Sequence, residues 1–195
     1  MKKLIVIMLT GFAFALSQGD RNVAAEQGYT PLEEVAGTYA FTGHGAVAVC
    51  LANTPPSFPP THCGSPGSIV VALTLEDVGV NTIDAAGNTC ATVTETEAAS
   101  PISASPTTVF AAHIAGPLTS YDPTTGTGEG SFTSYAGGQC HGALFDSTGA
   151  TVVSTGTSHF AVSNRGKRID HMVTALTNPE DSIGGFSLSF TTLRH

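Results

Sequence analysis

The chain has 195 residues, 41% of them hydrophobic and only 11% charged, and it carries a formal net charge of −8 at neutral pH. A surface this acidic repels phosphate backbones, so nucleic acid is excluded as an expected partner. The length suits a single domain with a sizeable core.

Lys2 and Lys3 precede an apolar run from Leu4 to Leu16, broken only by Thr10 and Gly11. A spanning helix needs about 20 apolar residues, so this shorter run has the layout of a secretory signal, with residues 1–25 as the leader and 26–195 as one domain. No later segment could span a membrane as a helix. Loss of the leader takes Lys2, Lys3 and Arg21 but only Asp20, which moves the charge to about −10. The expected location is the periplasm or the medium.

The domain reads as strands punctuated by turn chemistry. The first strand spans residues 38–50, with Tyr39, Phe41, Val47 and Val49 on one face and His44 on the other. Residues 68–76 alternate with Ile69, Val71, Leu73 and Leu75 on one side. Asp84-Ala85-Ala86-Gly87-Asn88 is a turn, making 80–83 and 89–97 the arms of a hairpin. Glu95 and Glu97 on the second arm are expected to face solvent. Residues 98–106 form a linker without a domain boundary. Residues 107–121 follow as a strand in which Gly116-Pro117 demands a bulge or an edge.

From Asp122 onward the turn clusters come at short intervals, as an antiparallel meander requires. Its strands are 126–135, 140–145, 151–162, 168–176 and 185–194. The alternation after Gly126 places Gly128, Gly130 and Phe132 on one face and Glu129 on the other. The fold class is therefore all-β: an antiparallel meander forming a closed or nearly closed barrel of about eight or nine strands.

An even count of four cysteines in an exported chain favours disulfides. Cys50 and Cys63 flank a Pro-rich loop that gains from being pinned, which leaves Cys90 with Cys140. No Cys-x-x-Cys, His-Glu-x-x-His, phosphate loop or Gly-x-Ser-x-Gly elbow occurs, so no metal, cofactor or catalytic set is expected. His171 stands out because it shares a strand face with Ile169, Val173 and Ala175. On an interior face it would orient a ligand or act as an acid or base. Tyr39, Phe41, Phe132, Phe186 and Phe190 would line the same interior or fill it.

Gly37-Thr38-Tyr39 at the start of the first strand and Arg194 at the end of the last resemble the Gly-x-aromatic and closing Arg of lipocalin-like (calycin) barrels, with Tyr39 where that family usually has Trp. The Gly-rich strand from Gly126 to Phe132 is similar in style to allene-oxide-cyclase and dirigent-type barrels. The first resemblance implies an up-and-down barrel with a small apolar ligand inside. The expected function is a binding module for such a ligand. The alternatives are a cyclase or isomerase acting on an apolar substrate, an outer-membrane barrel, and a surface-assembly protein. The oligomeric state stays open.

Overall fold

A computed structural model describes residues 31–55, 57–99 and 108–194. The proposed leader and residues 100–106 of the expected linker lie outside these. A short helix α1 (Leu32–Val35) is followed by β1 (Gly37–Ala52), β2 (Ser68–Ile83), β3 (Asn88–Ala99), β4 (Thr108–Asp122) and β5 (Thr127–Ala136). Two short strands, β6 (Gln139–His141) and β7 (Leu144–Asp146), precede β8 (Thr151–Ser163), β9 (Arg168–Thr177) and β10 (Ile183–Leu193).

Eight strands close an antiparallel barrel in the order β1-β10-β9-β8-β5-β4-β3-β2. Apart from the β6–β7 insertion, each strand pairs with its neighbour in sequence, and β10 closes on β1. Closure removes the unpaired edges that a sheet rich in Thr and Val would otherwise expose. The expected barrel is present, and three details differ. β2 is one continuous strand, because Gly79 allows β3 to approach so closely that a Cβ there would lie 2.1 Å from the Thr92 carbonyl oxygen. Residues 140–145 are no barrel strand: Gly142, at φ 63°, turns the chain into the β6–β7 hairpin. Ala175 leaves the His171 face, because the pairing slips between Thr157 and Ser158, placing Ala175 outside and Leu176 inside.

The disulfides are Cys50–Cys63 and Cys90–Cys140. The first holds the loop 53–67 between β1 and β2. The second staples the β6–β7 hairpin to the outside of β3, where Phe145 stacks on Tyr135 with ring centroids 4.2 Å apart. In β4 the expected irregularity after Gly116-Pro117 appears as a register shift between Leu118 and Ser120.

The interior is organised by glycine–aromatic pairs. Phe41 lies opposite Gly79, Phe190 opposite Gly43, Phe160 opposite Gly128 and Phe132 opposite Gly156. In the last three pairs the ring takes space that a side chain on the neighbouring strand would fill: a Cβ at Gly128 would come within 2.5 Å of the Phe160 ring, one at Gly156 within 2.5 Å of Phe132, and one at Gly43 within 2.6 Å of Phe190. The large rings therefore pack inside a narrow barrel without strain on the wall.

The two ends differ. Tight turns at 84–87, 123–126 and 164–167 join the strands at one end, and α1 caps it. There Val35, Tyr39, Ile83, Phe160, Val162 and Ile169 form one buried cluster, each fully buried side chain contributing roughly 1.5–3 kcal/mol. The Tyr39 hydroxyl donates to the carbonyls of Val35 and Gly166, the latter at 2.8 Å. Arg194 lies 6.0 Å above the Tyr39 ring and donates to the Glu34 carbonyl at 3.1 Å. The guanidinium sits against Gly37, where a Cβ would lie 2.9 Å from its central carbon. The opposite end carries the longer connections 53–67 and 178–182 and the β6–β7 insertion.

The outer wall is polar around its middle. One register row runs Glu129, His159, Met172, Ser189, His44 and Glu76 across six strands. A membrane barrel would need that row to be an apolar, lipid-facing band. No helix among the described residues is long and apolar enough to cross a membrane.

Candidate binding site at the open end of the barrel

Alternation along β1, β9 and β10 turns Val47, Leu176, Leu188 and Phe190 inward at the open end, and Phe132 of β5 joins them. These side chains, with Leu75, Ile114 and Ile183, line a cavity of about 150 Å³. Phe190 and Phe132 meet edge to face at its floor, with centroids 6.2 Å apart. Below them Phe41 packs on Phe190 at 5.3 Å and closes the passage toward the sealed end.

Three carboxylates enter the same cavity. Asp77 of β2 lies in register with Glu95 of β3, and Glu97 sits one inward position further along, opposite Leu75. The expectation that Glu95 and Glu97 face solvent is overturned: they continue the inward face of Ala91 and Val93. Asp77 is only 7% exposed, and its Oδ1 has no hydrogen-bond partner among the described residues. Gly43 makes room for it, since a Cβ there would lie 2.9 Å from Asp77 Oδ2.

Burial, reinforced by the charges of Glu76 and Glu97, pushes the Asp77 carboxyl up to about 6. Burial and then the neighbouring Asp77 and Glu97 raise Glu95 to about 8. Glu97 is raised by burial alone. At neutral pH Glu95 therefore holds its proton beside an ionised Asp77, a group that can donate a hydrogen bond next to one that accepts.

The residues singled out in the sequence fall in different parts of the barrel. Phe132 and Phe190 line the cavity, while Phe186 packs against the Val47–Val173–Leu188 cluster. Tyr39 belongs to the sealed end, and Phe41 fills the middle. His171 points inward in register with Phe190 and Phe160 and lines a separate void of about 50 Å³ with Asn81 and Ser158. Burial lowers the imidazole to about 4 against the opposing pull of Asp170, so it is neutral, and its nearest polar partner is Ser158 Oγ at 3.5 Å from Nδ1. Glu129 is outside the barrel, 3.8 Å from His159. Among the described residues no three His, Cys, Asp or Glu side chains are placed to hold a metal ion.

Sequence reasoning missed the carboxylates. The signal was available in their spacing: Leu75, Asp77, Gly79 and Asn81 share one period-two face, as do Ala91, Val93, Glu95 and Glu97. No protein-family model matches the chain, and neither a curated protein nor a solved structure matches it.

Proposed function

We propose that this protein is an exported binding module that holds a small, largely apolar ligand in the open end of its barrel. The observation that carries this reading is the cavity of about 150 Å³, walled by Val47, Leu75, Ile114, Leu176 and Leu188 above a floor of Phe132 and Phe190. A dry apolar cavity of that size is enough for one benzene ring. Apolar walls with a few convergent polar groups are the usual make-up of a small-molecule site. Export is supported by the Lys2-Lys3 and apolar-run leader pattern and by two disulfides, which persist in oxidising compartments. The packing of Arg194 against Gly37 and over Tyr39 supports a calycin-like reading of the barrel.

Native mass spectrometry of the protein, purified from the exported fraction of its own host without denaturation, tests the proposal. The expected result is a retained small molecule that is lost on unfolding. An empty monomer that also takes up no small aromatic probe contradicts it. A second reading, a cyclase or isomerase acting on an apolar substrate, is favoured by one observation: Glu95 at about 8 beside Asp77 at about 6 forms an unequal acid–base pair in an apolar pocket. Conversion of the retained molecule by the purified protein, abolished in Glu95→Gln, would select it.

A further inference from the structure

We infer that the ligand of this cavity is a protonated primary amine with a short apolar body, its ammonium group held among Asp77, Glu95 and Glu97. The inference rests on the binding function proposed above and names its ligand class.

Asp77 carries the first part of the case. Asp77 is more than nine-tenths buried and lines the cavity, and its Oδ1, itself buried, has no hydrogen-bond partner among the described residues. A buried acceptor left unpaired costs about 1–3 kcal/mol, so its retention calls for a partner that the folded chain does not supply. That partner does not come from the protein's own cations. The described Lys and Arg residues are Arg165, Lys167, Arg168 and Arg194, and all four belong to the sealed end, in or beside the 164–167 turn and at the end of β10.

The rest of the lining is neutral. From β1, β4, β5, β8, β9 and β10 the cavity receives only apolar and Ser side chains, and from the β9–β10 connection Asn178, so the three carboxylates are the titratable groups that face it. Glu76 lies behind them on the outer face, and His171 is below the Phe190 floor. The carboxylates do not gather as metal ligands would. They are spread over two cross-strand pairs, Asp77 with Glu95 and Leu75 with Glu97. An ammonium group presents three donors on one small cation, which suits three separated acceptors. The walls and the volume set the remainder of the molecule at about one ring or a short chain. A bound cation would favour the ionised carboxylates, so uptake near neutral pH expels the proton that Glu95 holds in the empty site.

The test is calorimetric titration of the intact protein at pH 7.5 with three probes of matched body: 2-phenylethylamine, 2-phenylethanol and 3-phenylpropanoate. A charge-assisted hydrogen bond predicts amine binding roughly tenfold to a hundredfold tighter than the alcohol, and no measurable binding of the carboxylate. The amine's enthalpy should change with the ionisation heat of the buffer, reporting proton release, and the alcohol's should not. Asp77→Asn and Glu95→Gln should each remove the amine's advantage and leave the alcohol unchanged. Should either variant fail to fold, the wild-type protein gives the same test: amine affinity should fall about tenfold between pH 8 and pH 5, and alcohol affinity should hold. Equal affinity for amine and alcohol, or an amine preference unaltered at pH 5, overturns the inference and leaves the apolar site standing. Failure of all three probes to bind overturns the binding function itself.

Discussion

The sealed and open ends of this barrel are built by the same eight strands, yet they solve opposite problems. At the sealed end Tyr39, Ile83 and Ile169 are almost wholly buried, and the Tyr39 hydroxyl has carbonyl partners. At the open end the inward positions of β2 and β3 carry Asp77, Glu95 and Glu97, and the Asp77 Oδ1 is left unpaired. Strand alternation decides which residues face inward; it does not decide their chemistry. The difference teaches that this fold concentrates its packing at the α1 end and leaves polar groups inside the other end, where we propose that a ligand binds.

The sharpest way to break that division is at Tyr39. Tyr39→Ala removes the central side chain of the sealed cluster and the donor for two carbonyls, and should lower unfolding free energy by ~3–5 kcal/mol in urea titrations. Leu75→Ala, at the edge of the open cavity, should lower it by about half as much. A small difference between the two would mean that the ends share the load.

The disulfides come next. Loop-closure entropy assigns about 4 kcal/mol to Cys90–Cys140, separated by 50 residues, and about 3 kcal/mol to Cys50–Cys63, separated by 13. Paired Cys→Ser variants, compared by thermal melting, should follow that order. An unchanged melting temperature on reduction would count against both contributions.

A smaller effect appears in the pH dependence. Asp77 and Glu95 hold protons in the folded state at pH values where the unfolded chain has released them. Their contribution is complete below the unfolded carboxylate range and is lost as pH rises through about 6 and about 8. His171, lowered to about 4, acts in the opposite direction, losing stability as pH falls from its ordinary value toward 4. Glu95→Gln should therefore be more stable than the wild type at pH 8, on the order of 1–2 kcal/mol after solvent screening, with no difference near pH 4. A wild-type melting temperature that rises steadily from pH 5 to pH 8 would oppose this assignment. The least effect belongs to Glu129→Gln on the outer wall, where an exposed pair with His159 should change stability by less than about 0.5 kcal/mol.

Much of the barrel was legible because its turns are written in residues with specific conformations. Asp84 accepts from the backbone of Ala86 and Asn88, and Asp122 and Asp146 do the same for Thr124 and Thr148. The glycine face from Gly128 to Phe132 is inward as its alternation implied, and the disulfide pairing follows from the loop that Cys50 and Cys63 enclose. What was not legible depends on partners distant in sequence. Residues 68–76 and 80–83 read as separate strands until the approach of Thr92 to Gly79 is known. The outward turn of Ala175 comes from a slip in pairing with β8, which no local pattern records. Glu95 and Glu97 read as solvent-facing because charge is the stronger local signal; only closure of the barrel puts that face inside.

The most direct test of an open end opposite a sealed one is methyl NMR during titration with 2-phenylethanol, which needs only the apolar part of the site. Shifts confined to Val47, Leu75, Leu176, Ile183 and Leu188, with Val35, Ile83 and Ile169 unmoved, are the predicted result. Shifts at the sealed-end methyls, or no shifts at any methyl up to millimolar probe, would contradict it.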